Sequence, residues 1–204
     1  MMSDAHWKKP LEWDSEARLF NERRRVFCAS MGDVFEDRKD LIEPRKRLFR
    51  LIDQTPNLDW LILTKRPGNI LRLAPDGFRE NVWYGTSVED QVRHDERVEQ
   101  LRAVPAKVRF LSAEPLLGPI RFNLEGIQWV IFGGESTGGR ECHLDWILWG
   151  IDQCRNAGVA PFVKQLGSNP VQYPWPSSSR CKDAKGGDMT EWPMDALKVR
   201  EIPS

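Results

Sequence analysis

Carboxylates and cations recur in this chain directly after short apolar runs, and their types define the chemistry a shared site could do. Asp33, Glu89, Glu114 and Glu135 are carboxylates expected to converge on one ligand-binding face; Glu135 is suited to an ammonium group or a ribose hydroxyl, and Glu114 and Glu135 are the candidates for a general base. Lys65, Arg66 and Lys164 are donors suited to phosphate or carboxylate oxygens. Gly133–Gly134–Glu135–Ser136 follows an apolar run, where two glycines let a backbone approach a ligand with no Cβ in the way, and Lys164–Gln165 completes the set. Gly138–Gly139–Arg140 extends the same loop and suits an oxyanion, because glycines expose amides and arginine forks onto oxygens. The plain alternatives are ion pairs for the carboxylates, helix N-caps at Asp33 and Ser87, and a capping-box shape for Ser87 with Asp90.

Metal chemistry has no local support. The three histidines form no His-x-x-x-His pattern, and Cys28, Cys142, Cys154 and Cys181 have no tight ligand spacing, so no metal site is expected. Cys28 and Cys154 read as small core residues, and His94 as part of a polar helix face. Cys142 beside His143 is the one pair with nucleophilic chemistry in reach, although neighbours in sequence need not face each other.

The elements that must position these groups are short. Residues 25–29, 60–63, 82–85, 108–111, 129–132 and 161–163 are too short for helices and too continuously apolar for half-exposed strands, which predicts strands buried on both faces. Each ends in a polar cluster, as strands do at a functional rim. Leu41 to Ile52, Val88 to Leu101 and Leu144 to Cys154 have helical period, the last closed by Gly158; Gly68 to Leu73 reads as a short helix and Pro115 to Gly126 as a loop. The expectation is an α/β fold, a partial (β/α) barrel of about six parallel strands, with an open doubly wound sheet as the alternative.

The chain has 204 residues, 40% hydrophobic and 29% charged, the size of one large domain with an ordinary core. Thirty basic residues balance thirty acidic ones, which removes any global pull toward nucleic acid or membrane, and no run is long enough to span a bilayer. No signal peptide is read at the start, so the cytoplasm is the expected compartment. The organisation reads as an N-terminal arm over 1–24, a barrel-like domain over 25–166, and a Pro/Ser/Gly-rich tail over 167–204 that packs on it and ends in an edge segment, Leu197 to Ile202. The basic runs Arg23 to Arg25 and Arg45 to Arg47 are solvated faces or, with Trp7 or Trp13 as stacking partners, contacts for nucleic acid.

Arg25 to Phe35, Leu63 to Pro67, Asn81 to Glu89, Leu111 to Gly118, Ile131 to Ser136 and Phe162 to Gln165, with Lys185–Gly186–Gly187–Asp188 and Glu191–Trp192–Pro193, resemble in order the phage and prophage three-Cys-motif proteins. This is the phage gene-product thirty-seven/sixty-eight family, a domain of unknown function similar to radical S-adenosylmethionine (SAM) enzymes. The resemblance implies a radical-SAM-like barrel, SAM as a possible ligand, and nucleic acid or a companion phage protein as partner. It also implies a [4Fe–4S] cluster held by a cysteine-rich segment that does not precede Trp7 here, so the chain is expected to be a truncated member unable to bind that cluster alone. A non-catalytic binding protein for a nucleotide-like or anionic ligand, or a cluster-independent hydrolase or transferase, are the alternatives.

Overall fold

The computed structural model describes residues 4–28, 32–75, 77–172 and 181–203. In chain order its elements are α1 (Asp4–Leu19), β1 (Arg24–Cys28), α2 (Ile42–Asp53), β2 (Leu58–Thr64), α3 (Ile70–Leu73), β3 (Val82–Ser87), α4 (Gln91–Arg102), β4 (Arg109–Ala113), β5 (Trp129–Gly133), β6 (Cys142–His143), α5 (Leu144–Ala157), β7 (Ala160–Gln165) and β8 (Pro170–Val171). Six strands form one sheet in the order β1-β2-β3-β4-β5-β7, every neighbour parallel, curled into a half-barrel; β6 and β8 pair separately. The monotonic order rules out the doubly wound alternative, which needs a reversal of strand order.

The alternation of side chains along each strand builds two apolar layers. Trp60, Ile62, Tyr84, Leu111, Val130, Phe132 and Val163 face one way and pack with Phe49 and Ile52 of α2, Val98 and Leu101 of α4, and Ile147, Ile151 and Cys154 of α5. Leu61, Trp83, Phe110, Trp129 and Ile131 form a second cluster, with Leu63 and Phe162 against it. Its rings meet edge to face, Trp83 on Trp129 at 6.1 Å and Trp129 on Phe162 at 5.6 Å, the geometry that aromatic quadrupoles favour. The strands are thus apolar on both faces, which is why they read as continuous runs. Trp83 Nε1 is the one buried side-chain polar atom without a partner among the described residues.

Several local expectations change. The arm before β1 contains a helix, α1, held by Asp14, which accepts from the Asn57 backbone N–H at 2.7 Å, and by Arg47 stacked 4.6 Å from the Trp7 ring. Arg23 pairs with Asp59 at 2.7 Å, Arg24 with Glu16 and Glu22, and Arg45 is buried and donates to the Val34 and Glu36 carbonyls, so the basic runs serve the fold. Asp90, not Ser87, caps α4, accepting from Arg93 N at 2.8 Å. His94 is buried rather than on a polar face: its Nε2 accepts from Asn123 N at 3.0 Å, which leaves the proton on Nδ1 facing Asp95 at 2.9 Å.

The C-terminal segment returns to the edge of β7. Val163 N donates to Val199 O and Glu201 N to Pro161 O, and the pairing is a single antiparallel bridge, Phe162 to Arg200, rather than a full edge strand. Three glycines let three backbones touch here. A Cβ on Gly134 would lie 2.2 Å from Leu166 O, one on Gly167 2.8 Å from Gly134, and one on Gly186 2.6 Å from Gly167 O, with φ at +86° and +63° for the last two. The proline- and serine-rich stretch 173–180 expected in the tail lies outside the described residues, as do Ser30 and Met31 of the first polar cluster.

Candidate functional site

Parallel strands in register put their C-terminal ends, and so the polar clusters, on one side of the sheet. At the β1–β3 end Asp33 is a knot. Its Oδ1 accepts from Phe35 N at 2.9 Å and Thr64 Oγ1 at 2.7 Å, and its Oδ2 from Lys65 N at 3.1 Å and Arg66 Nη1 at 2.8 Å. Thr64 Oγ1 in turn accepts from Arg66 N at 2.9 Å, so one carboxylate ties the loop after β1 to the turn after β2. Glu89 sits behind this group, between Lys65 Nζ at 2.7 Å and Arg97 Nη1 at 2.9 Å. Burial pushes its pKa up, yet the Lys65 hydrogen bond, a backbone N–H and the Arg97 charge outweigh burial and hold it below the ordinary value.

At the β4–β7 end the pairs are simpler. Glu114 accepts from Lys164 Nζ at 3.0 and 3.1 Å, reaching across β5 where Gly133 leaves room: a Cβ there would stand 3.1 Å from Glu114 Cγ. Glu135 is closed onto Arg140, accepting from its Nε at 3.1 Å, its Nη2 at 2.9 Å and its backbone N–H at 2.9 Å. The Arg140 guanidinium, followed by the Arg140 N–H, draws the Glu135 pKa down to about 2. Arg140 is therefore engaged inside its own loop, where the sequence suggested an oxyanion contact.

These groups surround a cleft of about 540 Å³, inside the roughly 300–1,000 Å³ range of small-molecule sites. Asp33, Lys65, Arg66, Glu114, Gly134, Glu135, Ser136, Lys164 and Gln165 line it, so most of the residues selected from sequence converge. Glu89 and Gly133 do not line it; they hold Lys65 and make room for Glu114. Gln165 donates from Nε2 to Gly134 O at 3.0 Å and fixes the glycine turn. Sequence reasoning passed over the cleft's apolar members, Phe27, Leu63 and Pro115, and over Arg97 of α4, which reaches back eight residues to Glu89. A second cleft of about 340 Å³ shares Ser136 and is lined by Gly138, Gly167, Ser168, Cys181 and Asp183.

The four cysteines do not fit a [4Fe–4S] cluster. All are free thiols on separate elements; burial raises Cys28 to about 11 and Cys142 to about 12, and burial with the Glu201 charge takes Cys154 to about 12. A cluster needs three adjacent thiolates, which these residues do not form, and among the described residues no group of three or more His, Cys, Asp or Glu could hold a metal ion. Cys142 is buried while His143 stacks on Trp146 at 4.4 Å, so this pair is no nucleophile and base. Among the described residues no helix is long and apolar enough to cross a membrane.

No curated protein and no solved structure matches the chain. A family model does, over residues 1–196, and with six strand ends converging on one cleft the chain belongs to the family described as a protein of unknown function, DUF5131.

Proposed function

We propose that the rim cleft binds a small ligand carrying both charge signs and a flat ring, of the SAM or nucleotide type, in a phage- or prophage-type radical-SAM-like protein. The observation that carries this is the arrangement of ion pairs around one cleft. In each, the carboxylate is the less exposed partner and the cation the more exposed one: Asp33 12% against Arg66 45%, Glu114 18% against Lys164 56%, Glu135 33% against Arg140 61%. The short acids stay in place while the longer, more exposed cations can swing. A ligand ammonium can thus take the place of Lys164 at Glu114, and the freed lysine, 56% exposed, can turn to solvent, so no buried charge is left unpaired. Phe27, 45% exposed at the cleft wall, offers a face to a planar ring.

Binding is favoured over general-base catalysis at Glu135, because a carboxyl held at about 2 takes up a proton poorly at neutral pH. The phage and radical-SAM parts of the proposal rest on the motif resemblance. Isothermal titration with SAM, S-adenosylhomocysteine and AMP tests the reading. Saturable binding, weakened about ten-fold or more by Glu114→Gln as a hydrogen bond between charged groups is lost, is expected. Absence of binding by every member of the panel sinks it.

A further inference from the structure

The floor of the cleft holds two polar groups that the ion pairs do not use. Ser87 ends β3 and Ser112 lies near the end of β4, and the two are direct partners in the parallel register. Both residues are 3% exposed, both line the cleft, and among the described residues neither hydroxyl has a hydrogen-bond partner, since both residues enter the bonding network only through their backbones. The neighbouring hydroxyls contrast with them: Thr64 donates to Asp33 and Thr86 to Thr64 O at 2.8 Å. Neither oxygen is among the fully buried unpartnered atoms, so both hydroxyls open on the cleft and are free to bond a group that enters it.

The local balance of donors and acceptors identifies its chemistry. Asp33 already accepts four hydrogen bonds and Glu135 three, so these two carboxylates have little acceptor capacity to offer, and Glu114 is the acid left for a cation. Donors are in surplus. The register that pairs Thr64 with Thr86 sets Lys65 beside Ser87, and among the described residues its ammonium, with three protons, is engaged by Glu89 alone. Two O–H groups and spare ammonium protons, backed by the Phe110 ring that fills the space over Gly85, complement a group made of acceptors.

We propose that Ser87, Ser112 and Lys65 form an oxyanion subsite, taking the carboxylate or phosphate end of the ligand. This rests on the ligand class proposed above and fixes which end of it points to the β3–β4 floor. With the anion there, Glu114, two residues beyond Ser112 at the end of β4, is left for the ligand's cationic group.

The test is calorimetry on the full chain and on the Ser87→Ala/Ser112→Ala double variant, with Ser112→Ala alone as the milder version if the double variant does not fold. The ligands are SAM against its decarboxylated analogue, and AMP against adenosine. The expected result is that the chain prefers the anionic member of one pair by about ten-fold or more, and that the variant loses this preference while binding the neutral-ended member as before. Preference within the SAM pair identifies a carboxylate, and within the AMP pair a phosphate. If the anionic ligand binds equally well to the variant, or no better than its partner lacking the anion, the subsite is overturned and the ligand class stands. If none of these ligands binds, the ligand class fails, and inorganic phosphate decides the subsite by itself. Phosphate-dependent shifts of the Ser87 and Ser112 amide resonances that vanish in the variant support it, and identical spectra with and without phosphate overturn it.

Discussion

The two halves of the rim use the same residue types and build different objects. From β1 to β3, Asp33 accepts from two backbone amides, a hydroxyl and a guanidinium, and Glu89 is gripped by Lys65 and Arg97. From β4 to β7, among the described residues, Glu114 has one partner, an exposed lysine, and Glu135 has one, an exposed arginine. A carboxylate bonded to the backbone of two loops defines their path, and losing it leaves buried donors unpaid. A carboxylate held by a single solvent-facing ammonium contributes little to stability and exchanges partners easily. The first half is framework, and the second is where a ligand cation can enter.

The largest effect expected from this contrast is at Asp33. Asp33→Ala strands the Thr64 hydroxyl and the Phe35 and Lys65 amides, and is expected to cost about 2–4 kcal/mol of unfolding free energy, read from urea denaturation. A loss below about 1 kcal/mol, the scale of an exposed ion pair, would erase the distinction between the halves.

How much of this was legible beforehand follows the same line. The strands and their polar ends were visible because a sheet covered on both faces requires continuous apolar runs, as in Trp60 to Leu63 and Trp129 to Phe132. The convergence of the rim followed from parallel order. That Glu114 meets Lys164 was not visible: the two are fifty residues apart and join through side-chain reach that no local pattern encodes. Helix α1 was missed because its apolar residues form only a weak stripe, with Trp13 and Leu11 still exposed. His94 looked polar because its neighbours Arg93 and Asp95 are, while its own ring packs on Phe122 at 5.6 Å. The Ser87 and Ser112 hydroxyls gave no signal, since serine at a strand end is ordinary until its lack of a partner is seen.

A smaller effect is expected at Gly133, which belongs to the looser half. Alanine there puts a methyl 3.1 Å from Glu114 Cγ and 3.2 Å from Cδ, and that side chain can shift because only Lys164 holds it. The crowding is offset by the reduced backbone freedom of the unfolded chain, so Gly133→Ala is expected to stay within about 1 kcal/mol of the parent in denaturation. Its consequence falls on ligand affinity, which should drop as the Glu114 carboxylate moves. A stability loss as large as that of Asp33→Ala would show that Glu114 is framework too.

The smallest effect is confined to the Glu135 loop and appears only in acid. Arg140 lowers the Glu135 pKa from 4.5 to about 2, so the folded loop binds the proton less readily than the unfolded chain does. The pairing is therefore fully present above about 4.5, is lost as pH falls from there toward 2, and gains nothing as pH rises through neutrality. Because both side chains face solvent, the global unfolding midpoint should scarcely register it. The local readouts are the Glu135 carboxyl carbon, expected to titrate near 2, and the Arg140 amide, which donates to Glu135 Oε2 and should lose protection over the same interval. Glu135→Gln should flatten that profile. Titration at 4.5 in the parent would mean that Arg140 is not closed onto Glu135 in solution, leaving a second exchangeable carboxylate beside Glu114 and widening the contrast with the Asp33 half.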